Sequence, residues 1–358
     1  MEGLVINPSF WKGKRVFVTG HTGFKGGWIC LWLKHLGVEV IGYSLEPATV
    51  PSLFEAADVG EGMQSIIGDI RDHAKLSKAI SESKPDVVIH MAAQPLVRYS
   101  YAQPAETYEV NVMGTVHLLE GVRATPSVKA VVNVTSDKCY ENRERVLGYR
   151  ENEAMGGVDP YSSSKGCAEL VTSAYRQSFF EPAGIALASA RAGNVIGGGD
   201  WAADRLIPDF LRAMDAGETL NIRSPQAVRP WQHVLEPLSG YLMLAEQLYS
   251  NGASFAEGWN FGPSDEDSRT VSWIIERMAE MRKDINWQCD EAPQLHEANL
   301  LKLDSSKARR QLNWQPLWQL QTALQKTLEW HEAWRNAEDM RAVSLAQIND
   351  YQSTLRGD

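Results

Sequence analysis

Apolar positions along the chain fall into short β-branched and aromatic runs separated by stretches with helical spacing. Residues 15–19 form such a run and end at Gly20, after which 24–36 carry apolar side chains three and four apart. This predicts strand, glycine turn and helix in succession. Further strands are predicted over 38–43, 64–67, 86–90 and 130–135, with helical patterns between most of them. Such alternation predicts an α/β fold, a Rossmann-type doubly wound parallel sheet. A long helix is expected over 161–180 and another buried strand over 185–191.

From Asn194 the pattern changes. Loops containing Gly, Pro and Trp alternate with helices such as 237–249, as in a small, irregular substrate domain, and 259–261 reads as a strand returning to the sheet. The expected division assigns 1–193 to a nucleotide-binding domain that segments about 234–262 rejoin. Residues 194–233 and 263–358 then form mainly a smaller C-terminal substrate domain and a tail. Residues 331–358 are too polar for an element to be assigned, and no internal repeat occurs.

Composition narrows the partners. At 358 residues the chain exceeds the usual single domain, and 44% hydrophobic with 22% charged residues is ordinary for a globular protein. A net charge of -10, without any run of Lys and Arg, argues against nucleic acid. The twelve tryptophans are scattered, which favours packing over a stacking platform. The four cysteines form no CxxC pair, which fits a reducing compartment. Residues 1–11 lack a charged leader with an apolar stretch, and 28–33 is too short to span a bilayer, so no membrane partner and a cytoplasmic location are expected. The eight histidines show no pairing at ligand spacing, and no metal is expected.

Gly20, Gly23 and Gly26 recur every three residues between the first strand and helix. Glycine permits a tight turn and close backbone approach to a pyrophosphate, whose charge the helix N-terminus favours. The alternative is a plain tight turn. A P-loop is excluded because Lys25 precedes Gly26. The eight residues Thr19-Gly20-His21-Thr22-Gly23-Phe24-Lys25-Gly26 resemble the TGxxGFxG motif of the extended short-chain dehydrogenases. The resemblance continues through Asp69-Ile70, His90-Met91-Ala92-Ala93 and Asn111-Val112-Met113-Gly114-Thr115, over the first two-thirds of the chain.

It implies that Gly20, Gly23, Phe24 and Gly26 hold the cofactor, with Asp69, Ile70, Ala92, Ala93 and Asn111. The acid expected after the second strand is replaced by Tyr43-Ser44, where Ser44 retains one hydroxyl for the ribose. No basic residue for an NADP phosphate occurs between Leu36 and Ile70, which favours NAD. His21 is expected to make a local hydrogen bond only.

Tyr161 and Lys165 stand one helical turn apart, a spacing that an ordinary exposed helix pair also shows. Their place after the fifth strand is where the family keeps its catalytic pair, and both also meet the cofactor there; Ser136 supplies the third hydroxyl. A phenol of pKa about 10 is short of ionisation at neutral pH by roughly 4 kcal/mol, which an ammonium about 4 Å away can supply. Asp137 follows Ser136, as an acid does in nucleotide-sugar 4,6-dehydratases and not in 4-epimerases; a loop salt bridge is the plain alternative. Many 4,6-dehydratases have Asp-Glu here, whereas Asp137-Lys138 resembles the CDP-glucose branch, which implies a CDP-hexose substrate and leaves the C5 base open.

In that chemistry a buried, protonated Asp137 donates to the 6-hydroxyl, and Lys138 removes the C5 proton or stabilises the enolate. Gln94, Asn194 and Arg229 are expected at the substrate, Arg229 clamping the diphosphate, or as structural turn contacts. Gly197-Gly198-Gly199 is read as a flexible turn. A 4-epimerase and a non-catalytic cofactor sensor remain alternatives. A homodimer or higher homo-oligomer is the family's usual assembly.

Overall fold

The computed structural model describes residues 6–282, 286–290 and 300–356. Strands β1 (Arg15–Thr19), β2 (Glu39–Ser44), β3 (Gln64–Ile67), β4 (Val87–His90), β5 (Ala130–Val134) and β6 (Ala186–Ala192) form one parallel sheet. Three strands leave it for smaller sheets: β7 (Asn194–Ile196), β8 (Leu220–Ile222) and β9 (Val228–His233). The chain returns as β10 (Gly258–Phe261), parallel to β6, and the full order is β10-β6-β5-β4-β1-β2-β3. As predicted, 259–261 rejoins the sheet. Strand order reverses between β1 and β4, so a crevice opens beyond their carboxyl ends, where ligands of such sheets bind.

The largely apolar β4 and β5 are buried on both faces, as parallel strands require. Alternate residues feed two cores. Val16, Val18, Ile89 and Val132 pack under α1 (Phe24–His35), while Phe17, Val88 and Val131 pack under α2 (His73–Ser83) and α3 (Gly114–Arg123). The next long helix, α4 (Pro160–Tyr175), starts cleanly because Pro160 occupies its first turn and Asp159 accepts from the Ser162 amide at 2.9 Å. A π-helical turn continues it through Arg176–Phe180.

A third core joins α5 (Leu206–Ala216), β8 and β9. Helix α6 (Leu235–Asn251) lies instead on the large sheet through Leu238, Leu242 and Ala245. The antiparallel β11 (Ser268–Thr270) leads into α7 (Val271–Met281), and β12 (Trp287–Cys289) pairs with β8. Helix α8 (Leu320–Arg335) gives Leu320, Leu324 and Leu328 to the small core but Trp330 and Ala333 to the large one.

The tail left unassigned in sequence is helical. It completes α8 and forms α9 (Met340–Arg356), which docks Ile348 and Tyr351 beside α1. Its polarity conceals burial, because Ser344, Gln347 and Gln352 are buried with polar side chains and Ser344 accepts from Trp330 Nε1 at 2.9 Å. Among the described residues no helix is long and apolar enough to cross a membrane.

Candidate active site

A cavity of about 610 Å³ opens beyond the carboxyl ends of the sheet and extends to Ile207, Leu220, Ile222 and Trp231 of the third core. Its cofactor end is the glycine loop. Gly20 has φ +78°, and a Cβ there would lie 2.8 Å from the Ala92 nitrogen; one on Gly26 would lie 1.9 Å from the Gly20 carbonyl. The N-cap of α1 is Gly23, which has no side chain to bond the first-turn amides, and no acid stands in that turn. Those amides and the helix dipole are therefore available to an anion, which fits a dinucleotide pyrophosphate.

Phe24, Ser44, Asp69, Ile70, Ala92 and Ala93 line the same wall. Ser44 Oγ lies 2.9 Å from Thr22 Oγ1, which donates to the Leu45 carbonyl. The Asp69 carboxylate is held below its usual range by a forked bond from Arg71, with Nη2 2.6 Å from Oδ2. Arg71 also faces Glu106 at 3.4 Å and Glu109 at 3.8 Å, so its charge is committed to carboxylates and not to an extra ribose phosphate.

Two expected contacts are placed differently. Gln94 is turned inward: its amide donates to Thr107 Oγ1 at 2.9 Å and its oxygen accepts from the Leu96 nitrogen. Asn111 lies behind the wall, accepting from the Gln94 nitrogen at 2.8 Å and donating to the Gln94 carbonyl and to Ser164 Oγ. With every polar atom satisfied inside the protein, Asn111 braces the loop after β4 against α4. Neither residue lines the cavity.

At the opposite end, Ser136, Asp137, Lys138, Tyr161 and Lys165 converge on the cavity. Ser136 caps the short turn Asp137–Cys139, accepting from the Lys138 nitrogen at 3.2 Å and donating to Asp137 Oδ1 at 3.0 Å. Burial raises the Asp137 carboxyl above its usual range against the pull of Lys138, the Ser136 hydroxyl and Arg229. The backbone passes close by, since a Cβ on Gly193 would lie 2.9 Å from Asp137 Oδ2.

Burial pushes the Tyr161 phenol up to about 12, partly offset by its hydrogen bond with Ser136, and lowers Lys165 to about 8. The ammonia groups of Lys138 and Lys165 both lie 6.0 Å from the Tyr161 ring centre. Desolvation of the phenol outweighs the nearby charges.

Asn194 and Arg229 are on the wall, at the start of β7 and on β9. Gly197-Gly198-Gly199 is a packed seat and not a flexible turn: a Cβ on Gly198 would lie 2.0 Å from Trp330 Cγ, and Trp28 Nε1 donates to the Gly198 carbonyl at 2.9 Å. His21 makes the local bond expected, Nε2 to Ser65 Oγ at 2.7 Å, and burial lowers it to about 4.

Two cations were not singled out from the sequence. Lys25, on the first turn of α1, lines the cavity and is lowered to about 7 by burial, Arg205 and Lys165, with Asp137 opposing. Its position inside the glycine motif was the available signal. Arg205 lines the cavity, pairs with Asp200 at 2.8 Å and draws the Tyr161 phenol downward; an irregular loop gives no such signal. Among the described residues no cluster of His, Cys, Asp or Glu is arranged to hold a metal ion.

Over residues 17–327 the chain matches the GDP-mannose 4,6 dehydratase family. It is 59% identical to a CDP-glucose 4,6-dehydratase of Salmonella typhimurium over 98% of this chain and 99% of that one. A dTDP-glucose 4,6-dehydratase of Xanthomonas campestris is 24% identical over 88% of this chain and 92% of its own. The fold is shared with DesIV, a dTDP-glucose 4,6-dehydratase from Streptomyces venezuelae solved with NAD and TYD bound, at a TM-score of 0.77 and 23% identity. That match covers 91% of this chain and 99% of DesIV.

Proposed function

The chain belongs to the GDP-mannose 4,6-dehydratase family, and on that premise we propose that it is an NAD-dependent hydro-lyase converting CDP-D-glucose to CDP-4-dehydro-6-deoxy-D-glucose and water. The observation that carries the reading is a buried acid, Asp137, held above its usual range on the same cavity wall as Tyr161 and Lys165. A carboxyl in that state can give a proton to a leaving hydroxyl, which an epimerase does not need.

The backbone amides of Gly23–Gly26, with Ser44, Asp69, Ile70, Ala92 and Ala93, hold the cofactor. Bound there, NAD would supply the acceptor for hydride from C4 and the donor of hydride to C6. Tyr161, as the phenolate that the Ser136 hydrogen bond and the positive charge of Lys165 favour, takes the proton of the 4-hydroxyl. The C4 ketone makes the C5 hydrogen acidic. Lys138 assists its removal, and Asp137 protonates the 6-hydroxyl as it leaves as water. A proton then returns to C5, so the net change is loss of water without oxidation. Arg229 and Asn194 hold the diphosphate, a guanidinium fork matching its oxygens.

Exposed Tyr99, Tyr108 and Met113 on the helices after β4, with Leu170 and Phe179 on α4 and the turn that follows, support a homodimer or higher homo-oligomer through these helices. The four free thiols suit the cytoplasm.

CDP-glucose deuterated at C4 tests the reaction. The label is expected at C6 of the same molecule, and stoichiometric release of reduced cofactor, or a 4-epimer as product, would overturn the reading. Tyr161→Phe should lower turnover by at least about a hundredfold while the protein stays folded; near-normal turnover would remove Tyr161 from the oxidation step. Parallel incubations with UDP-, GDP- and dTDP-glucose test the choice of nucleotide.

A further inference from the structure

The segment carrying Ser136, Asp137 and Lys138 is tied at both ends to one buried ion pair. Glu169 lies one helical turn beyond Lys165 on α4 and meets Arg191 of β6 in a fork, with Nε 2.8 Å from Oε1 and Nη2 2.7 Å from Oε2. Both side chains are about 5% exposed or less. Before the segment, Thr135 Oγ1 donates to Glu169 Oε1. After it, the Tyr140 hydroxyl accepts from Arg191 Nη1 at 2.7 Å and donates to Asn260 Oδ1 at 2.7 Å. Ser189 Oγ donates to Glu169 Oε2 at 2.6 Å without touching the segment.

A buried pair of this kind adds little net stability over a well-packed apolar pair, because desolvation offsets the attraction. What it supplies is fixed direction. The fork leaves Glu169 one arrangement relative to β6, and its helix carries Tyr161 and Lys165. Gly166 on that helix also packs close to the segment, where a Cβ would lie 3.2 Å from the Cys139 carbonyl.

We propose that Glu169 and Arg191 are positioning residues that hold segment 135–140 in register with α4, so that elimination groups and oxidation groups address the same sugar. The inference rests on the dehydration reading. Neither residue touches the substrate; each acts through Thr135 or Tyr140.

Three single-hydroxyl deletions test it: Thr135→Val and Tyr140→Phe release the two ends of the segment, and Ser189→Ala removes a donor to the same carboxylate from the far side. Thr135→Val and Tyr140→Phe should lower kcat for CDP-glucose about tenfold with KM within about twofold. They should also raise the share of bound cofactor found reduced at steady state, because oxidation outruns elimination. Ser189→Ala should keep kcat within about twofold even if it loses as much thermal stability. The proposal is overturned if kcat is retained when either end is released, or if all three variants lose activity in step with their Tm. Wild-type enzyme that forms no 4-keto sugar would instead overturn the dehydration reading itself.

Discussion

Two fully buried glutamates stand in opposite regions of the molecule and carry different charge. Glu169, beneath the catalytic segment, would be raised by burial, but the Arg191 charge and the bonds from Arg191, Ser189 and Thr135 outweigh this and leave it below the usual carboxylate range. Glu236, on α6, is as deeply buried and accepts from the nitrogens of Leu317 and Trp318 and, at 2.7 Å, from the Tyr351 hydroxyl. Among the described residues no cation pairs with it, and burial raises it to about 7. Neutral donors satisfy a carboxylate's lone pairs without replacing its lost hydration. The fork beneath segment 135–140 is therefore charged throughout the physiological range, whereas the joint that docks the C-terminal helix titrates within it.

The sharpest way to break this contrast is to remove the cation from the first site. Arg191→Met should cost about 3–5 kcal/mol of unfolding free energy, read from urea or thermal denaturation, because it strands a buried carboxylate. A second change, Glu169→Met, added to Arg191→Met should recover much of that loss. If the double variant is as unstable as the single one, the penalty came from lost packing and not from the stranded charge.

At the second site the contrast becomes a pH dependence. The folded pKa of Glu236 is raised from 4.5 to about 7, so its contribution to stability is fully present below pH 4.5 and is lost as pH rises through about 7. A shift of that size corresponds to roughly 3 kcal/mol. Glu246, which accepts from Trp11 Nε1 at 2.6 Å and is also raised to about 7 by burial, adds in the same direction. Carboxylates held low, such as Asp69 and Glu169, lose their contribution only on acidification below the ordinary carboxylate range, so a scan from pH 5 to 8 separates the two sets. Burial also lowers His21 to about 4 and His90 and His233 to about 3, and their contributions grow as pH rises towards 6.5, so the test is comparative: across that scan wild type should lose stability relative to Glu236→Gln. A stability difference between wild type and Glu236→Gln that stays constant from pH 5 to 8 would refute the assignment.

The contrast also marks where the sequence was legible. The parallel sheet was readable because β4 and β5 are largely apolar, interrupted only by His90 and Asn133, and the glycine loop because three glycines answer one local backbone demand. Side-chain direction was not readable. Gln94 and Asn111 sit in recognisable motifs, yet the Asn111 side chain bonds the Gln94 backbone and the Gln94 side chain bonds Thr107 and the Leu96 nitrogen inside the wall. Glu169 and Arg191 are 22 residues apart, and nothing local joins them. The C-terminal helix escaped notice for a related reason: Ser344, Gln347 and Gln352 read as surface residues but are buried.

The smallest effect expected is that of Tyr351→Phe, and its pH dependence identifies the charge state of Glu236 most directly. The Tyr351 hydroxyl lies 2.7 Å from Glu236 Oε2 and 3.1 Å from Ser239 Oγ, on a side chain packed edge-on against Trp32 and Trp318. The ring stays in the variant, so packing is kept and only a donor is lost. That donor favours the ionised form of Glu236, and removing it raises the folded pKa further above 7. At pH 5, where Glu236 is protonated in wild type and variant alike, the cost is that of one neutral hydrogen bond, about 1 kcal/mol. At pH 8 the wild-type carboxylate is largely ionised and the lost bond is charge-assisted, so the cost should reach about 1.5–3 kcal/mol. Chemical denaturation at the two pH values measures the difference. An equal cost at both would mean that Glu236 does not change charge between them, and the two glutamates would then differ in their partners but not in their ionisation.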